Sequence, residues 1–71
     1  MSDERIQQGI LEFVKARHIA GLTLTEVRAD HGIATVRGFA ATNWAKRVCW
    51  ECCRRVTGVR GVVDLVELTA A

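Results

Sequence analysis

Three cysteines stand close together, Cys49, Cys52 and Cys53, at spacings of three and four. On a helix those spacings gather the sulfurs on one side, where thiolates can bind a soft metal ion. Ala45, Val48 and Val56 recur with them at helical intervals, so the cysteine side is also the apolar stripe that must face a core. There a free cysteine behaves as a small hydrophobe. We therefore expect packing thiols, with no metal and no cofactor. A redox Cys-x-x-Cys pair wants its first thiolate at a helix N-terminus after a strand, and Cys49 lies well inside its helix. An odd count crowded into one segment is no disulfide framework either, so the thiols are expected to be reduced. His18 and His31 fall at a helix end and in a turn, and are read as having no adjacent carboxylate or nucleophile to form a relay. No catalytic residue and no enzymatic activity are expected.

The opposite side of the same helix is chemically different. With Trp50 at 0° and steps of about 100° per residue, Lys46 falls near −40°, Arg47 near 60° and Arg54 near 40°. An indole among three cations on a solvent-facing helix side suits adsorption to anionic headgroups, each basic residue contributing about 1 kcal/mol near a charged surface. Lys46, Arg47, Trp50 and Arg54 are thus the candidate contact residues for an anionic membrane surface or an acidic partner. The alternative is a protein-interaction or self-association module in which a second chain, in a homodimer for instance, buries the same face. Trp44, near 120°, is expected to border the core and cover the sheet edge. Arg55 and Arg60 extend the basic surface. Gly58-Val59-Arg60-Gly61 has the Gly-x-x-Gly spacing of a loop that clamps a nucleic-acid backbone, but such a loop leads into a helix, whereas this one leads into a strand. Nucleic acid is not an expected partner.

These side chains need elements to hold them. Ile6, Ile10, Phe13 and Val14 lie within about 100° of one another on a first helix from Asp3 to His18. Ser2 is its N-cap, Asp3 and Glu4 fit its start, Lys15, Arg17 and His18 fit its end, and Gly9 marks close packing. From Leu22 to Phe39 the period changes to two. Thr25, Val27 and Ala29 take one face, Asp30-His31-Gly32 makes a tight turn, and Ala34, Val36 and Gly38 return on that face. Ile33, Thr35 and Arg37 take the other, which is read as too polar to need a covering layer. A second helix runs from a cap at Thr42 or Asn43 to Thr57, with Gly58 after it. Val62 to Leu68 is a third strand. The expectation is a small α+β domain of order α-β-β-α-β, with a mixed three-stranded sheet and both helices on one face.

The run Asp30-His31-Gly32-Ile33-Ala34-Thr35-Val36-Arg37-Gly38, followed by Thr57-Gly58-Val59-Arg60-Gly61-Val62-Val63-Asp64-Leu65-Val66-Glu67-Leu68, resembles the BON domain, the bacterial module of osmotic-stress and nodulation proteins. Gly32, Ala34, Val36 and Gly38 match its Gly-x-Val-x-Leu-x-Gly return strand. Gly58, Val59, Val62, Asp64, Val66 and Leu68 match its Gly-Val-x-x-Val segment and the aliphatics beyond. Ala34 and Val36 are smaller than usual, and Asp64 replaces a commoner Asn. The resemblance runs from about Asp3 to Leu68 and implies a non-enzymatic module that binds phospholipid surfaces or protein partners, without catalytic residues.

Size and charge bound these readings. Seventy-one residues at 49% hydrophobic and 25% charged, without proline, make one globular domain spanning 1–71, core about 3–68, rather than a disordered tail. A net charge of +2 is far from the basic signature of a dedicated nucleic-acid binder, so any charge argument is local. No stretch of about 18 apolar residues is present, and the start is polar, so neither a transmembrane helix nor a secretory leader is expected. The chain as given is expected in the cytoplasm; as a fragment of a longer exported protein, the resemblance points to the envelope or periplasm.

Overall fold

Ser2 opens the first helix as its cap: its hydroxyl accepts from the Arg5 N–H at 3.3 Å, satisfying one of the donors that a helix start leaves over. The computed structural model describes residues 2–69; Met1, Ala70 and Ala71 of the expected domain lie outside the described residues. The helix, α1 (Asp3–Arg17), ends where His18 turns left-handed at φ 49° and its N–H meets the Lys15 carbonyl. Ile6 and Ile10 are buried, while Phe13 and Val14 are half-buried at the margin of the stripe. A Cβ on Gly9 would sit 3.0 Å from Val56 Cγ1, so the close packing expected there is present.

β1 (Leu22–Asp30) and β2 (Ile33–Ala40) pair antiparallel. His31 and Gly32, at φ 51° and 82°, make the two-residue turn, whose paired positive φ values match the twist of the flanking strands. β1 departs from strict alternation, because the register shifts between Leu24 and Glu26. Thr25, expected on the core face, is exposed. Leu22 and Leu24 pack on the core before the bulge, and Val27 and Ala29 do so after it; one extra residue lets even and odd positions share a face. Gly38 stands opposite the bulge, where a Cβ would lie 2.1 Å from the Thr23 carbonyl oxygen.

Thr42 caps α2 (Asn43–Arg55) by accepting from the Ala45 N–H at 3.1 Å. The helix stops two residues short of the expected Thr57, with Val56 already extended and Gly58 at φ 96°. β3 (Gly61–Leu68) then pairs parallel with β2, giving the order β1-β2-β3. The fold is the expected α+β arrangement of two helices and a mixed three-stranded sheet. Ile6 and Ile10 of α1 meet Ala45, Cys49 and Cys53 of α2 over Ala34, Val36, Ala40 and Val66 of the sheet, so one sheet face carries both helices.

Each free sheet edge is met by a helix side chain. On β1, the Ala29 N–H donates to Gln7 Oε1 at 3.0 Å. On β3, the Thr69 N–H reaches back to the Ala40 carbonyl, and alternation along the strand turns the Val66 groups to the open edge. There Lys46 Nζ donates to the Val66 carbonyl, and the Val66 N–H donates to Asp64 Oδ1 at 3.0 Å. Unpaired edges invite strand addition, and these contacts blunt both.

The other sheet face carries no helix, as expected, and Asp30, Arg28, Glu26, Thr35 and Arg37 lie on it. Ile33, Phe39, Val63 and Leu65 are 36%, 45%, 43% and 39% exposed among them, an apolar band that the sequence reading did not outline. Only part of the band belongs to the hairpin; β3 supplies the rest.

Candidate functional site

The two sides of α2 divide the chemistry. Cys49 and Cys53 are fully buried and Cys52 nearly so, all three as free thiols. One helical turn apart, the Cys49 and Cys53 thiols share a hydrogen bond. That bond, with burial behind it, pushes the Cys53 thiol up, and it lowers Cys49, its acceptor. Burial pushes Cys52 up, since taking the thiolate out of water disfavours the charged form. Among the described residues no three His, Cys, Asp or Glu side chains gather in a metal-binding group. The sulfurs fill the space between α2 and the sheet.

On the outer side the Arg54 guanidinium lies over the Trp50 ring, 5.0 Å from its centroid. The contact is a cation–π stack one turn along the helix. Trp50 itself is half-buried, and Arg47 and Arg54 are exposed. Arg47 faces Glu51 at 3.7 Å across one turn. A shallow depression of about 500 Å³ lies beside the indole, lined by Asn43, Lys46, Arg47, Trp50 and Asp64. On the other side of the ring, Glu51, Arg54 and Arg55 line a second one of about 350 Å³. Arg47, Trp50 and Arg54 therefore come together as the sequence predicts, and Arg55 joins them.

Lys46 has a different employment. Its ammonium lies 3.4 Å from Asp64 Oδ2, and the two side chains are only 32% and 20% exposed. Together they close the β3 edge, so Lys46 is a neutralised member of the face rather than a free cation. Helical angles could not show this, because Asp64 arrives from a strand outside the helix. Arg54 and Arg55 have no carboxylate within ion-pair distance among the described residues. The uncompensated positive charge is concentrated at the C-terminal end of the helix. Trp44 does not border the core: at 58% exposed it is the most open large apolar side chain among the described residues.

A second polar cluster lies at the hairpin turn. The Asp3 carboxylate accepts from the His31 N–H at 3.0 Å and the Gly32 N–H at 3.2 Å. The Arg60 N–H donates to the Gly32 carbonyl at 2.7 Å, and its guanidinium to the His31 carbonyl. Arg60 is thereby turned to the hairpin and does not extend the α2 surface. His31 Nδ1 lies 2.7 Å from Asp30 Oδ1, both side chains largely exposed, which corrects the expectation that His31 has no adjacent carboxylate. The cluster ties the start of α1 to the turn.

No known family model matches the chain, and no curated protein is found similar to it. Among the described residues no helix is long and apolar enough to cross a membrane.

Proposed function

We propose that this domain is a non-enzymatic attachment module of BON type, which adsorbs to anionic phospholipid surfaces through the outer face of α2. The observation that carries this reading is the Arg54 guanidinium stacked on Trp50, facing outward from a helix whose thiols all face inward. Arg47, Arg54 and Arg55 draw the face to negative charge, Trp50 anchors it at headgroup depth, and Lys46 stiffens its border by holding Asp64. Indole at an interface with basic neighbours is the pairing that surface-lying helices use. The test is co-sedimentation with vesicles of phosphatidylglycerol and phosphatidylcholine against phosphatidylcholine alone. Binding to the anionic vesicles only, weakened by 0.5 M salt and by Trp50→Ala, is the expected result. Equal binding to both, or none to either, rejects the lipid reading; a soluble acidic partner blocked by the same substitution replaces it.

A further inference from the structure

The band left open on the far side of the sheet has a symmetry of its own. Cross-strand partners arrange its residues in levels: Asp30, Ile33 and Gly61; then Arg28, Thr35 and Val63; then Glu26, Arg37 and Leu65; then Thr23, Phe39 and Glu67. A two-fold axis lying against this face, across the strands and between the two middle levels, exchanges the second level with the third and the first with the fourth. Glu26 then faces Arg28 of the second copy, and Arg28 faces its Glu26. Phe39 faces Ile33, Leu65 faces Val63, and Arg37 faces Thr35. Every apolar side chain of the band meets another apolar one, and no like charges oppose. The other in-plane axis, along the strands, puts Arg37 against Arg37 and is disfavoured.

We infer that this face docks on the same face of a second copy of the chain, forming a two-fold dimer of four layers with the sheets inside and the helices outside. Two sheets packed face to face leave room for their side chains at about 10 Å and cross at about −30°. The edges do not compete for this role, since Gln7 occupies the Ala29 N–H of β1 and Lys46 with Asp64 occupies the Val66 groups of β3. Three strands about 4.8 Å apart and eight residues long give a footprint of about 400 Å² per copy. The total, about 800 Å², is below the range of standard stable interfaces, so the dimer exchanges with monomer and its population depends on concentration. Within each copy Glu26 also pairs with Arg28 at 2.5 Å and Arg37 at 3.3 Å.

Sedimentation equilibrium from about 5 µM to about 1 mM tests the association directly. A rise towards twice the monomer mass is expected, and a monomer throughout overturns the inference whatever the variants do. Glu26→Arg and Arg28→Glu each set like charges opposite one another twice across the axis, and each alone is expected to weaken dimerisation about tenfold or more. Mixed together, the two variants restore both opposite-charge pairs and are expected to form a heterodimer. Leu65→Lys, at an exposed position, is expected to abolish the dimer while leaving the circular dichroism spectrum unchanged. If a dimer forms but survives Leu65→Lys, or the mixed variants do not reassociate, or Trp50→Ala removes it instead, the interface lies elsewhere and the inference fails.

Discussion

Reversing one charge on α2 separates a specific adsorption face from the pull of net charge. Arg54→Glu and Arg28→Glu alter the formal charge identically, each removing the whole +2 of the chain, but the two residues lie on opposite faces. Arg54 is beside Trp50 on the outer side of α2, and Arg28 is on the uncovered side of the sheet, level with Thr35. Even the shortest Cα extent of the molecule, 16 Å, is about twice the screening length of about 8 Å at physiological salt. Near an anionic surface a basic residue contributes about 1 kcal/mol, so turning Arg54 into a carboxylate changes adsorption by about 2 kcal/mol, roughly 30-fold in affinity. Arg28→Glu, held beyond screening range, changes it by less than about threefold. The assay is vesicle titration followed by Trp fluorescence at about 1 µM protein in 0.15 M salt. Equal losses from both substitutions would show that net charge alone drives binding, and no loss from Arg54→Glu would remove α2 from the interface.

Two further predictions concern what holds this face in place. Gly38→Ala puts a methyl group 2.1 Å from the Thr23 carbonyl oxygen and 2.9 Å from Leu24 Cα; since these are backbone atoms, the bulge must shift, at a cost of about 3 kcal/mol or more. A urea midpoint near that of the parent chain would contradict this. The thiols set a pH limit above 9: Cys49 is lowered from an ordinary value of 9.0 and adds stability only as pH rises towards 9, whereas Cys52 and Cys53 are raised, so beyond pH 9 their contribution is lost as the unfolded chain releases protons that the fold retains. Denaturation at about pH 9.5 and about pH 11 should show the decline, smaller in Cys52→Ala, while the native thiols at about pH 8 should react with a disulfide reagent far more slowly than in denaturant.

Local rules carry most of the fold. Ser2 and Thr42 cap the helices that the apolar spacing outlines, Asp30-His31-Gly32 turns the hairpin, and the three cysteines face inward because Ala45 and Val48 share their side. The bulge was legible in principle: the apolar residues of β1 are at even positions through Leu24 and at odd ones from Val27. A single period-two frame started at Thr25 hides that change. What stayed illegible depends on pairing between distant segments. Lys46 belongs to Asp64 because the parallel register brings β3 beneath α2. The apolar band emerges only when Val63 and Leu65 are set beside Thr35 and Arg37, and neither strand alone carries it. Trp44 falls near the core by angle alone, yet it is exposed, and nothing in the structure explains why.

The two faces of the molecule have opposite chemistry, and the helices are what separate them. By supplying Gln7 to the Ala29 N–H at one sheet edge and Lys46 to the Val66 carbonyl at the other, α1 and α2 blunt each edge at one position. The charge of α2 meanwhile stays on the far side, with Arg54 and Arg55 uncompensated at one end and Lys46 neutralised at the other. Adsorption and self-association are therefore independent in this architecture. Leu65→Lys should remove the dimer and spare vesicle binding; Arg54→Glu should do the reverse. In a dimer joined by its sheets the two α2 faces point outward in opposite directions, so a single copy suffices to bind one surface, and a pair could hold two surfaces together.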